Sequence, residues 1–155
     1  MSPYRRPATL LHSYTIPERG PLHIYVAGSS KEIERAEAMV SALRAAGHHI
    51  TLDWAAEMRK AGAADKDLPI ERVREAARAD LAAVDTADLV VLLTPAVDKP
   101  SAGAWSELTW AYAHQIPVWV VRARGIPQFC IFTSLAEELG GAMFDTDEEV
   151  LRRLT

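Results

Sequence analysis

The run SAGAWSE, from Ser101 to Glu107, combines small residues, two hydroxyls and one acid. It suits the start of a helix, with Glu107 in the first turn or so. A carboxylate there is favoured by the helix dipole whether or not it has a chemical role. With a second carboxylate nearby it can also act as nucleophile or ion-pair stabiliser while its partner orients or protonates. Asp80 is the natural second acid, and Asp85 and Asp88 are rivals for that place. Gly28-Ser29-Ser30 supplies another candidate site, where amides and hydroxyls can hold a phosphate or a sugar oxygen. Capping of the following helix by Ser29 or Ser30 explains the same residues equally well.

The elements around these residues follow from apolar patterning. Asp88 to Thr94 (DLVVLLT) and Ile116 to Val121 (IPVWVV) are unbroken apolar runs of strand length, as expected for parallel strands covered on both faces. The helix carrying Glu107 lies between them, just past the carboxyl end of a strand, where open α/β sheets hold ligands. Leu22 to Ala27 reads as a first strand and Lys31 to Ala46 as a helix. Ile33, Ala36, Val40 and Leu43 form its inner face, Glu and Arg the outer, and Gly47 stops it. His49 to Asp53 reads as the next strand, completing a right-handed parallel crossover.

Residues 54 to 69 read as a mobile loop with at most a turn of helix, a candidate lid. Ile70 to Val84 reads as a helix with Val73, Ala76, Ala77, Leu81 and Val84 inward. Phe129 to Phe132 suits a short strand or turn, Ala142 to Phe144 an edge strand, and Asp145 to Leu154 a final helix. The expected fold is a single doubly wound α/β domain, Rossmann- or flavodoxin-like, with a five-stranded parallel sheet. It occupies residues 21–155 behind an amino-terminal arm, 1–20, broken by Pro3, Pro7, Pro17 and Gly20.

Composition narrows the function. The 155 residues carry a net charge of −4 without a basic run, which argues against a nucleic-acid polymer as partner. One cysteine, Cys130, allows no internal disulfide and is expected as a buried apolar residue. Five histidines lack ligand spacing, so no metal is expected. No apolar segment is long enough to span a bilayer, and the cytoplasm is the expected location. Trp105 and Trp110 flank Glu107; either can stack on a flat base or pack in the core or at a subunit contact. Tyr25 is expected to pack its ring while its hydroxyl reaches the cleft.

The pieces IYVAGSS (24–30), DLAAVDTADLVVLL (80–93) and SAGAWSELTWAYAHQIPVWVV (101–121) together resemble the nucleoside 2-deoxyribosyltransferase family. Within it, they resemble the 2′-deoxynucleoside 5′-monophosphate N-glycosidase branch. The resemblance implies that Glu107 is the catalytic glutamate acting at C1′ of the sugar and Asp80 the carboxylate that orients sugar or assists the leaving base. It also implies that Tyr25 corresponds to the family's strand tyrosine or to its neighbour. Gly28, Ser29 and Ser30 would hold the sugar's 5′ end, and Ser101 and Gly103 would contact a 5′-phosphate. Trp54 and Trp105 complete the expected substrate-binding set. A small nucleoside or nucleotide partner, a homodimer or higher homo-oligomer, and no cofactor are implied.

The chain departs from the family at Thr109, where many relatives have Gly, and in the bulk of Trp105 and Trp110. It also has no Asn-rich carboxy-terminal signature, which favours hydrolysis over base exchange. Two other readings follow from the same residues. One is a nucleotide-sensing module that binds without turnover, and the other is a NAD-cleaving glycohydrolase.

Overall fold

Every strand pairing is parallel, and the order across the five-stranded sheet is β2-β1-β3-β4-β5. The computed structural model describes residues 20–62, 68–96, 98–99, 101–122 and 130–155. Strands β1 (His23–Ala27), β2 (His49–Ile50), β3 (Leu89–Leu93), β4 (Val118–Val121) and β5 (Ala142–Phe144) alternate with helices. These are α1 (Ile33–Ala45), α2 (Trp54–Ala61), α3 (Ile70–Asp85), α4 (Ala102–Ala113) and α5 (Asp147–Leu154). The order is flavodoxin-like, and it reverses between β1 and β3, which creates a crevice above their carboxyl ends.

Alternation of side chains along each central strand divides the core in two. Ile24, Val26, Leu89, Val91, Leu93, Trp119 and Val121 face α1 and α5, meeting Met39, Val40, Leu43 and Val150. Tyr25, Ala27, Val90, Leu92, Val118 and Val120 face α3 and α4, meeting Val84, Ala104, Leu108 and Ala111. All residues of β3 and β4 are buried, as covering on both faces requires.

Several expectations change. Residues 54–61 form a full helix: Asp53 accepts a hydrogen bond from Ala56 N (3.1 Å), and Gly62 ends it at φ +63°. The lid expected over 54–69 therefore falls partly on a helix, and residues 63–67 lie outside the described residues, as do residues 1–19 of the expected arm. In α3 only Ala83 and Val84 are fully buried, while Ala76 and Ala77 are exposed and Ile70 is 60% exposed. Periodicity gives the right face of α3 near its carboxyl end, but the first half of the helix lacks a covering partner among the described residues. Residues Ile131–Leu135 form a 3-10 turn, so the described part of the Phe129–Phe132 stretch is a turn; Phe129 lies outside the described residues. Cys130 is half-buried, not buried, because it leads into that surface turn. Ala142–Phe144 is the edge strand, paired to β4.

Candidate active site

Ser101 caps α4 by accepting a hydrogen bond from Ala104 N (3.2 Å). Glu107 then falls in the second turn, one turn deeper than expected, and faces inward beside the buried Ala104, Leu108 and Ala111. Tyr25, third residue of β1, points to the same face of the sheet, with no exposed surface. The two meet: Tyr25 Oη donates to Glu107 Oε1 at 2.8 Å across 82 residues of sequence.

Glu107 is only 8% exposed. Burial pushes its carboxyl up to about 7. The hydrogen bond from Tyr25 opposes that rise, and the charge of Asp80 adds to it. The Tyr25 hydroxyl is held far above its ordinary range by burial, then by the charges of Glu107 and Asp80 and its hydrogen bonds to both. Asp80, half-buried on α3, thus joins strand tyrosine and helix glutamate in one cluster. The rivals lie elsewhere. Asp85 accepts from Trp110 Nε1 (2.8 Å), clasping α3 to α4, while Asp88 accepts from His23 N (2.8 Å) at the amino end of β1.

The two expected binding loops also meet. Ser101 Oγ donates to Gly28 O (3.4 Å), which joins the β1–α1 turn to the start of α4 over the switch point. Ser29 is buried and accepts from Lys31 N (3.2 Å), a cap of the 3-10 turn Ser30–Glu32, whereas Ser30 is exposed. Gly103 is exposed. Trp54 Nε1 donates to Val26 O (2.7 Å), and its ring would stand 3.7 Å from a Cβ at Gly28, so it walls this end of the cleft. A Cβ at Gly28 would meet only ordinary contacts, so packing does not demand glycine there. Trp105 and Trp110 are half-buried, packed against the core face of α3 and α4. Thr109 bonds back to Trp105 O (3.1 Å) and Ser106 O (3.0 Å) and faces outward. Its hydroxyl therefore leaves the inner face of α4 unchanged.

A model of the nucleoside 2-deoxyribosyltransferase family matches residues 24–149, a span that contains Tyr25, Asp80 and Glu107. The chain belongs to that family. Membership places it among proteins that act on nucleosides and nucleotides. Among solved structures, this family member is similar to Clostridium botulinum CMP N-glycosidase, BcmB. The two share 16% sequence identity and a TM-score of 0.58, over 85% of this chain and 97% of the other. That likeness establishes a common fold. No curated protein matches the chain in sequence. Among the described residues, no helix is long and apolar enough to cross a membrane, and no group of three or more His, Cys, Asp or Glu is placed to hold a metal ion.

Two contacts near the site escape sequence reasoning, which puts the Glu and Arg side chains of the predicted helix 31–46 on its solvent face. Glu32 and Arg35 are half-buried and reach the end of β3. Their partners lie 59 or more residues away, so no local pattern signals them.

Proposed function

We propose that the protein cleaves the N-glycosidic bond of a (deoxy)nucleoside or nucleoside 5′-monophosphate, with water as the sugar acceptor. The observation that carries this reading is the cluster of buried Glu107 and Tyr25 with half-buried Asp80. Breaking the bond between C1′ and the base nitrogen builds positive charge on the sugar ring, which a nearby carboxylate offsets. Tyr25 fixes Glu107 through Oε1, so attack on C1′ falls to the other oxygen. The electron pair of the broken bond leaves with the base, whose nitrogen takes a proton from Asp80 or from water. Water then cleaves the glycosyl ester, restoring the Glu107 carboxylate, and its released proton replaces the one that the base took from Asp80 or from water. Burial makes the Glu107 anion more basic than a solvated carboxylate, which suits both nucleophilic and electrostatic roles.

The Ser101–Gly28 junction supports a place for the sugar's 5′ end, with Ser29, Ser30 and Gly103 around it and Trp54 and Trp105 as the aromatic walls. A cytoplasmic homodimer belongs to the same proposal. Ile131 and Phe132, 75% and 46% exposed, are consistent with a subunit contact.

The test is chromatographic. The protein is incubated with deoxynucleosides, ribonucleosides, their 5′-monophosphates and NAD, with and without a second free base. The expected result is free base from a nucleoside or nucleoside 5′-monophosphate of either sugar, whether or not an acceptor base is present. A new nucleoside formed on the added base would replace hydrolysis by transfer. Nicotinamide release alone would mark a NAD glycohydrolase, and tight binding with no product would mark a sensing module.

A further inference from the structure

The connection from β3 to α4 carries Ser101, and it is tied down by Glu32, at the end of the 3-10 turn, and Arg35, in the first turn of α1. Arg35 Nη1 donates to Thr94 O at 3.0 Å, one residue past the end of β3. The same guanidinium is held by a two-pronged pair with Asp147, through Nε to Oδ2 (2.8 Å) and Nη2 to Oδ1 (2.7 Å), in the first turn of α5. Two residues past Thr94, the amide of Ala96 donates to Glu32 Oε2 at 3.0 Å. Lys99 N then turns back to Ala96 O at 2.9 Å. Ser101 follows, bonded to Gly28 O. The connection is thus anchored at Thr94, Ala96 and Ser101, and all three anchors run to the segment from Gly28 to Arg35.

We propose that Glu32 and Arg35 are positioning residues that hold the β3–α4 connection, and with it Ser101, against the β1–α1 turn in the geometry that receives the substrate. Neither side chain is assigned a contact with the substrate. Each acts through backbone: Arg35 through a carbonyl, Glu32 through an amide. The fork of Arg35 matches a carboxylate in two-pronged fashion, which a lysine cannot reproduce. A charge-assisted bond from a backbone amide to a carboxylate is among the stronger single contacts available to a loop. Asp147 extends the chain of contacts to α5, so the carboxy-terminal helix helps set the rim of the site through one guanidinium.

The inference rests on the glycosidase reading only for its kinetic arm. Amide exchange of peptides spanning 94–101 is measured without substrate in wild type, Glu32→Ala and Glu32→Gln. Base release is then measured on the substrate that wild type cleaves best. Glu32→Ala is expected to speed exchange in that segment and to raise KM about tenfold, with kcat within about threefold of wild type. Glu32→Gln, whose amide oxygen can still accept from Ala96 N, is expected to restore both. Arg35→Lys, which keeps the charge and loses the fork, is expected to reproduce the Glu32→Ala pattern and guards against a folding defect peculiar to one variant. Unchanged exchange and KM in Glu32→Ala would overturn the proposal, as would Glu32→Gln behaving no better than Glu32→Ala. If wild type releases base from no substrate, the glycosidase reading falls. Exchange then decides the positioning claim alone, faster exchange supporting it and unchanged exchange overturning it.

Discussion

Glu107→Gln is expected to lose base release by about 10³-fold and, at the same time, to make the protein more stable at pH 8. Both effects come from one carboxylate. The amide keeps an oxygen that accepts from Tyr25 Oη, so the 2.8 Å contact and the packing of α4 on β1 survive. What disappears is the negative charge that the proposed reaction requires at C1′. The stability effect follows from linkage. Burial raises the Glu107 carboxyl from 4.5 to about 7, so between those values the folded protein binds a proton that the unfolded chain has released. Stability is therefore full below about 4.5 and declines as pH rises through about 7. The decline amounts to about 3 kcal/mol, at about 1.4 kcal/mol for each tenfold change in proton affinity. Glutamine has no proton to lose and escapes it. Thermal unfolding at pH 5 and pH 8 checks this: the variant should melt several degrees above wild type at pH 8, and the gap should narrow at pH 5. An equal gap at both pH values would mean that Glu107 is not held as a strained anion.

Gly141→Ala is expected to destabilise the fold by about 3 kcal/mol, near the upper end for overpacking. A Cβ at this position would stand 1.9 Å from Val118 O, 2.8 Å from Val118 C and 3.0 Å from Ala136 O. All three are backbone atoms, so no side-chain rotamer relieves the clash. Val118 opens β4, and Gly141 immediately precedes β5, which pairs with it. Gly141 N also donates to Ala136 O at 2.8 Å, so moving the chain away breaks a hydrogen bond. Denaturant unfolding would show the loss as a lower midpoint. A midpoint equal to that of wild type would show that the β4–β5 edge yields more readily than a parallel ladder should.

The sheet is legible in the sequence because β3 and β4 are continuous apolar runs, a pattern that covering on both faces explains. The first crossover is legible from the periodicity of α1 and from Gly47, which takes φ +93° at its end. Glu107 stands out by its place after a strand and among small residues. Its depth in the helix differs from expectation by one turn because the cap fixes where α4 begins, and the hydroxyl of Ser101 does the capping. Helix α2 reads as loop because Gly62 and the charges after it dominate the stretch, although Asp53 is a good helix cap. The inner face of α3 is shorter than its pattern, since periodicity marks a face but not how much of it finds a partner. Asp80 is already the preferred second acid in the sequence; its proximity to Tyr25 and Glu107, and the separate places of Asp85 and Asp88, are seen only in three dimensions. The contacts of Glu32 and Arg35 are not legible at all, being set by the return of β3 and α5 to the first helix.

The most direct test of Glu107 as the group that acts at C1′ is the pH dependence of kcat/KM for base release from the best substrate, between pH 5.5 and 8.5, since that ratio reports the ionisation of the free enzyme. Glu107 must be ionised to attack or stabilise C1′, and burial places its carboxyl at about 7. The rate should rise about tenfold per pH unit at the acid end, bend near 7 and level above it. A rate that falls as pH rises through 7 would make Glu107 a proton donor and contradict its assigned role. A flat profile would remove it from the rate-limiting chemistry.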